Sequence, residues 1–216
     1  MKKIMFNDKY GLTQAVLEGR KTMTRRTIKL NATDEEYLDT AFDWDLRESV
    51  IIDRYSKYRI GEEVAVAQSY IDIMEYYHSL GSFDSRTESE RESIFWCKMR
   101  EFETYGNDSA MRGDLNKMFV RAELMPFRIR ITDIKVEKLQ DISDEDCIKE
   151  GISKIPWFGG YTYDIIKVMN SSRWTAYTTA KAAFSALIDK VSGKGTWERN
   201  PYVFVYEFEL LKGGQQ

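Results

Sequence analysis

The sequence predicts a mixed α+β protein with a small sheet or barrel, and three observations lead to this fold class. Strand-like alternating stretches lie far apart in the chain, at residues 22–28, 127–139 and 201–211. Helical patterns separate them, and the clearest, over residues 175–189, places these side chains on one face: Ala180, Ala183, Phe184, Leu187 and Ile188. No internal repeat or low-complexity linker appears, so we expect a single domain over residues 1–216 with insertions.

The N-terminal elements follow from local patterns. Residues 3–6 predict a short strand, and Leu12, Ala15 and Val16 then recur at helical spacing after Asp8, a candidate N-cap. Gly19 supplies the left-handed residue that commonly ends a helix. The β-branched stretch that follows it predicts a return to strand.

Two polar segments are expected to be insertions, at about residues 31–57 and 70–116. The first is acidic, and its composition is typical of a solvent-exposed segment rather than of the core. The second is rich in Tyr, Glu and Ser, and its patterns predict helices near 70–79 and 86–101. Between the two insertions, residues 64–67 read as a buried strand.

The C-terminal half has the strongest patterns. The long strand at 127–139 alternates apolar and polar residues, and Asp133 is expected to mark a bend after which the alternation reverses. Ser143 should cap a short helix that has acids in its first turn, where they favour the helix dipole, and Gly151 should end it. Residues 201–211 predict the last strand of the chain.

Composition limits the classes of function. A hydrophobic content of 43%, a charged content of 31% and a net charge of −3 are ordinary for a soluble globular protein. The apolar runs are too short for a membrane span or a signal peptide, so we expect a cytoplasmic protein without a membrane partner. His78 is the sole histidine, and Cys97 and Cys147 lack CxxC spacing, so neither a metal nor a cofactor is expected.

The most informative stretch is a local cationic strip on this mildly acidic chain. Residues 20–29 carry five basic side chains, namely Arg20, Lys21, Arg25, Arg26 and Lys29. Such a strip favours a small anionic or nucleotide-like ligand over non-specific coating of nucleic acid.

Four segments in order resemble the ASCH domain, a branch of the PUA-like β-barrel superfamily. They are LEGRKTMTRR at 17–26, YRIGEEV at 58–64, LQDIS at 139–143 with EG at 150–151, and WERNPYVF at 197–204. The chain is longer than compact members because of the two insertions, and in this it is similar to ASCH proteins often seen in phages and prophages.

The resemblance implies a small barrel with flanking helices and a cleft for a nucleoside, a nucleotide or RNA. One compact branch hydrolyses the acetyl amide of N4-acetylcytidine with a Lys-Thr-Glu set, which maps onto Lys21, Thr24 and Glu150. Arg20, Arg25, Arg26 and Trp197 are then candidate ligand contacts. Another branch is linked to RNA cleavage, so the resemblance leaves the reaction open.

The proposed catalytic set makes chemical sense under two conditions. Lys21 can act as a base only if its pKa falls from about 10.4 toward neutrality, through burial or neighbouring cations. Thr24 would then be the nucleophile or would orient water, and Glu150 would hold the amine or pass a proton. Residues three apart in a strand face opposite ways, so Lys21 must lie in an irregular turn after Gly19 to meet Thr24.

Each residue also has a plainer interpretation. Strand propensity explains Thr24, a phosphate contact explains Lys21, and an exposed pair with Lys154 explains Glu150. Trp197 is a candidate to stack on a base, whereas Arg128 and Arg130 fit a solvated strand face.

Two other functions stay open beside the hydrolase. One is a non-catalytic reader of RNA or of a modified base. The other is a protein-interaction role for the acidic insertions.

Overall fold

The computed structural model describes residues 1–40, 43–79, 116–170 and 175–211. Seven strands are present in this part of the chain: β1 Lys2–Ile4, β2 Met23–Thr27, β3 Glu63–Val66, β4 Arg128–Lys138, β5 Ser153–Lys154, β6 Tyr161–Thr162 and β7 Tyr202–Leu211. The α-helices there are α1 Leu12–Leu17, α2 Ala32–Thr40, α3 Trp44–Tyr55, α4 Tyr70–Ser79, α5 Asp144–Lys149, α6 Ile165–Asn170, α7 Ala180–Ser192 and α8 Thr196–Arg199. The mixed α+β class is therefore confirmed.

The strands form a five-stranded sheet in the order β1-β3-β4-β7-β2 and a two-stranded sheet of β5 and β6. Within the described residues, β1 pairs only with β3 and β2 only with β7, so these two strands are the edges. In the described part of the chain the larger sheet is open, and the closed barrel expected from the resemblance is not observed there.

The chain divides into two compact units, and the first comprises residues 1–5, 64–79 and 116–128 of the described chain. Here β1 and β3 run parallel, with Lys3 opposite Ala65. Its core is a cluster of buried side chains: Ala65, Ala67, Tyr70, Ile73, Val120, Ala122 and Met125. The Lys3 ammonium donates hydrogen bonds to the backbone carbonyls of Lys117, Met118 and Val120, which ties the strand to that segment.

The second unit comprises residues 6–63 and 129–211. Its centre is the antiparallel pair of β2 and β7, in which Thr24 lies opposite Tyr206. Helix α7 buries the whole predicted apolar stripe of Ala180, Ala183, Phe184, Leu187 and Ile188. This helix begins later than predicted, because the Thr179 hydroxyl accepts a hydrogen bond from the Ala182 amide and caps it.

Strand β4 passes through Asp133 and continues to Lys138, in agreement with the long strand predicted at 127–139. The buried positions shift from Ile129 and Ile131 to Ile134 and Val136, so the predicted reversal of alternation occurs within one continuous strand. The shift is possible because two consecutive residues, Thr132 and Asp133, are not buried.

The acidic segment 31–57 forms helices α2 and α3, and it is not wholly solvated. Leu38 and Ile51 are fully buried, and the Asp39 carboxylate accepts a hydrogen bond from the Tyr202 hydroxyl at 2.7 Å. The predicted helix at 70–79 is present as α4, whereas the predicted helix at 86–101 lies outside the described residues. In the part of the chain that the structure describes, no helix has the length and apolarity required to cross a bilayer.

Candidate functional site

Lys21 lies in the turn between α1 and β2 and not in the strand itself. Gly19 has a φ of +73°, and the Lys21 amide donates to the Ala15 carbonyl at 2.9 Å. The strand begins only at Met23. The irregular backbone expected between Arg20 and Met23 is therefore present, which allows the Lys21 side chain to leave the alternation of β2.

Glu150 is the residue that follows helix α5. Ser143 caps the start of this helix as predicted, accepting a hydrogen bond from the Asp146 amide at 3.0 Å. Gly151 follows Glu150 with a φ of +102°, a conformation that favours glycine, and a Cβ there would lie 3.6 Å from the Lys21 Cβ. The end of α5 thus packs directly against the Lys21 turn.

Lys21 and Glu150 form a buried ion pair. The Lys21 Nζ donates to Glu150 Oε2 at 2.6 Å and to the Glu150 backbone oxygen at 2.7 Å, and the two residues are 2% and 4% exposed. Burial lowers the pKa of Lys21, the Glu150 carboxylate opposes this, and Arg26 and Arg25 lower it further. Glu150 is therefore held by Lys21, and the expected exposed pair with Lys154 is absent among its described contacts.

Arg25 was expected to contact a ligand, but in the structure it is buried and paired with acidic side chains. Its side chain is fully buried, and its guanidinium pairs with Glu137 at 2.7 Å, Asp146 at 2.8 Å and Glu150 at 3.4 Å. Although desolvation lowers the pKa of Arg25, Glu150 and Glu137 together raise it above its usual value. Because its donors point at carboxylates of β4 and α5, Arg25 joins these elements to β2.

Thr24 lies on the face of β2 opposite to Arg25, together with Arg26. The Phe6 ring faces this side, since its centroid is 5.8 Å from both the Lys21 Nζ and the Arg26 Cζ. No described contact joins Thr24 to Lys21 or Glu150, and Glu150 also pairs with Arg25, which lies on the other face of β2. The structure therefore brings Lys21 and Glu150 together but does not bring the Thr24 hydroxyl to them. Thr24 is 4% exposed, and its hydroxyl makes no hydrogen bond to any residue that the structure describes.

Aromatic side chains surround this face. Tyr206, opposite Thr24 in the strand pair, meets the Tyr58 ring edge-on at 5.2 Å. Burial raises the pKa of Tyr58 to about 12, so its hydroxyl stays protonated. Phe208 packs on Phe6 at 5.8 Å. Of these rings, Phe6 is the one with a described contact to the Lys21 amine, at 5.8 Å.

Arg20 and Trp197 lie outside this arrangement. Arg20 is half-buried and pairs with Glu18 at 2.5 Å. Trp197 packs edge-on against Phe184 at 6.2 Å, and its amide donates to Asp189 at 2.9 Å. None of the described contacts of Trp197 involves Lys21, Thr24 or Glu150, so the structure does not bring it to the pair.

Sequence reasoning missed three neighbours of the site: Asp146, Glu137 and Phe6. Asp146 and Glu150 are four residues apart, a spacing that puts two side chains on one side of a helix and could have indicated a shared cation. No local signal identifies Glu137 or Phe6, because each comes from a separate element.

The remaining candidates do not form a second centre among the described residues. Arg130 pairs with Glu63 and Glu209, all partly exposed, as expected for a solvated strand face. Within the described ranges, no group of three or more His, Cys, Asp or Glu side chains could hold a metal ion. Cys97 lies outside those ranges.

No family model, no curated protein and no solved structure matches this chain. The site itself therefore has to support any functional conclusion. The site contains a buried lysine whose pKa is lowered and a carboxylate hydrogen-bonded to it.

Proposed function

We propose that this chain is an ASCH-type, PUA-like protein that binds a nucleotide-like ligand or RNA and hydrolyses the acetyl amide of N4-acetylcytidine-like substrates. Lys21, Thr24 and Glu150 are the proposed catalytic residues, and Arg26 is a proposed ligand contact. The single observation that supports this proposal is the buried Lys21–Glu150 pair, with Nζ and Oε2 2.6 Å apart.

The burial of the pair supports a basic role for Lys21. A lysine in water is protonated at neutral pH and cannot accept a proton. Desolvation favours the neutral amine, whereas the contact with the Glu150 carboxylate favours the charged form; desolvation is the larger effect, and the pKa of Lys21 is lowered. Lys21 is therefore the group in this site whose chemistry suits a general base.

In the proposed reaction, Lys21 removes the proton of Thr24 or of a water molecule, and the resulting oxygen attacks the acetyl carbonyl carbon. Arg26 or backbone amides stabilise the oxyanion. The C–N bond then breaks, and a proton passes through Glu150 to the cytosine amine, which leaves as cytidine. With water as the nucleophile, the acetyl group is released directly as acetate. With Thr24 as the nucleophile, the acetyl group stays on the Thr24 oxygen as an ester until a water molecule, deprotonated by Lys21, hydrolyses the ester and releases acetate.

A second candidate function, a non-catalytic reader, is favoured by a different observation. Lys21 and Glu150 are almost completely covered, so in this conformation the amine is already engaged by two oxygens of Glu150. Hydrolysis requires the substrate to displace part of that contact, whereas binding beside the pair does not.

Incubation of the protein with N4-acetylcytidine, with cytidine release as the readout, tests the proposal. We expect turnover by the wild type and its loss in Lys21→Ala. Lys154→Ala is the matched control, because Lys154 is an exposed lysine of β5. Circular dichroism should show that both variants are folded.

The same experiment separates the two functions. Binding of N4-acetylcytidine without cytidine release, weakened in Arg26→Gln, would favour the reader over the hydrolase. Absence of both binding and release would contradict both functions for this nucleoside.

A further inference from the structure

A buried arginine beside the ion pair of the site takes no part in the proposed reaction. The Arg25 side chain is fully buried, and each nitrogen of its guanidinium has a described partner. Glu137 accepts from Nε at 2.9 Å, and Asp146 accepts from Nη2 at 2.8 Å. Nη1 contacts the Met23 sulfur at 3.1 Å and Glu150 Oε1 at 3.4 Å. A planar guanidinium that is bonded at every nitrogen is held in one orientation.

The Glu150 carboxylate lies between two cations. Its Oε2 accepts from the Lys21 Nζ at 2.6 Å, and its Oε1 accepts from the Arg25 Nη1 at 3.4 Å. A carboxylate that is bonded through both oxygens cannot rotate without losing one of these contacts. Arg25 therefore holds the oxygen of Glu150 that Lys21 does not use.

Arg25 is itself anchored by two acids that lie nearer to solvent. The side chains of Glu137 and Asp146 are 24% and 25% exposed, whereas that of Glu150 is 5% exposed. Glu137 and Asp146 lie 2.7 and 2.8 Å from the guanidinium, closer than Glu150 at 3.4 Å. The positive charge of Arg25 is therefore compensated chiefly on the side away from Glu150, which leaves Lys21 as the nearer partner of that carboxylate.

We propose that Arg25 is a positioning residue that fixes the Glu150 carboxylate at Lys21, while Glu137 and Asp146 keep Arg25 from taking that carboxylate over. This inference rests on the proposed function, since it assigns a role in the same site to a residue that does not react. An arginine suits the role, because its charge is permanent and its planar fork can bind several carboxylates at once.

The arrangement acts on the Lys21 amine with two opposite signs. Burial lowers the pKa of Lys21, Glu150 raises it, and Arg26 and Arg25 lower it. Loss of Arg25 should therefore raise the pKa of Lys21. Loss of Glu137 should lower it, because the freed guanidinium then competes more strongly for Glu150. Loosened packing alone would raise the pKa of Lys21 in both cases, since entry of water relieves the desolvation.

Carbon NMR of the Lys21 Cε in the full chain tests the proposal through the titration midpoint. We expect Arg25→Gln to raise the midpoint by about one unit and Glu137→Gln to lower it by about half a unit. In the double variant Arg25→Gln/Glu137→Gln, the effect of the second substitution should vanish, because it acts through Arg25. Arg130→Gln is the matched control and should leave the midpoint unchanged, since Arg130 binds two carboxylates on the solvated face of β4.

An unchanged or lowered midpoint in Arg25→Gln, or an effect of Glu137→Gln that persists in the double variant, would overturn the proposal. Asp146→Asn keeps the test decisive if Arg25→Gln does not fold, because the Asp146 side chain is partly exposed. Glu137→Gln and Asp146→Asn should then each lower the midpoint. A raised or unchanged midpoint in either variant would overturn the role of Arg25.

Cytidine release from N4-acetylcytidine separates this proposal from the hydrolase. Arg25→Lys keeps the charge but loses the planar fork, so kcat should fall on the order of tenfold while KM stays unchanged. An unchanged kcat, or release by the wild type with a midpoint that Arg25→Gln does not move, would overturn only the role of Arg25. The expected midpoints without any release by the wild type would overturn only the hydrolase and would support Arg25 as the residue that holds Glu150 at Lys21.

Discussion

The Lys21 ammonium donates to both the side-chain and the backbone oxygen of Glu150, at 2.6 and 2.7 Å, although the two residues are 129 positions apart. This contact joins the turn before β2 to the end of α5. The Thr22 amide, which donates to the Lys149 carbonyl at 2.9 Å, reinforces the same junction. The turn before β2 and the end of α5 are therefore held together by both side-chain and backbone bonds.

Glu150→Gln should destabilise the protein by about 3 kcal/mol, because it leaves the charge of Lys21 buried without its carboxylate. Urea unfolding measures the change. Glu145→Gln is the matched control, since Glu145 is an exposed acid of the same helix and its loss should cost less than about 0.5 kcal/mol. Equal effects of the two substitutions would show that the buried pair adds nothing to stability.

Lys21 should titrate below the usual value of 10.5, because burial lowers its pKa. In the pH range between the folded pKa and 10.5, the unfolded chain binds more protons at this lysine than the folded chain. The contribution of Lys21 to stability therefore rises with pH across that range. Carbon NMR of the Lys21 Cε measures the titration. Glu150→Gln should lower the midpoint further, because the Glu150 carboxylate favours the charged lysine. A wild-type midpoint above 10.5 would contradict the effect of burial on Lys21.

Cys147 should resist thiol reagents near neutral pH while the protein is folded. It is buried within α5, and burial raises the pKa of its thiol from 9.0 to about 12. Its contribution to stability is present below pH 9.0 and is lost as the pH rises toward about 12. A Cys97→Ser variant isolates this thiol, and rapid labelling without denaturant would contradict its burial.

Arg47→Met should raise the free energy of unfolding by about 1 kcal/mol, since a well-packed apolar side chain often replaces a poorly compensated buried charge favourably. Arg47 is 2% exposed, and its Nε and Nη2 have no hydrogen-bond partner among the described residues. The substitution loses one bond, from Nη1 to the Leu38 carbonyl. Arg54→Met is the control, because Arg54 is an exposed, ion-paired residue of the same helix. A loss of stability in Arg47→Met larger than in Arg54→Met would oppose this reasoning.

Local patterns predict the elements well where one face is buried. The alternation of β4, the cap at Ser143 and the apolar stripe of α7 all appear in the structure, because each reflects a periodic contact with the core. The open sheet could not be predicted in this way, since strand periodicity reports which face is buried and not which edges pair.

The candidate site was only partly predictable. The contact of Lys21 with Glu150 was expected from the resemblance and not from spacing, because no local rule relates residues so distant in the chain. Arg25 was expected at a ligand, but three carboxylates from two other elements bury it. A charge count along the sequence cannot distinguish an arginine that faces solvent from one that is neutralised by tertiary contacts.

The rate of cytidine release from N4-acetylcytidine by the wild-type protein, followed as a function of pH, tests the role of Lys21 without any substitution. If Lys21 is the base, the rate should rise with pH to a midpoint below 10.5 that coincides with the NMR midpoint of Lys21. Absence of cytidine release, or a rate independent of pH across the titration of Lys21, would contradict a catalytic Lys21.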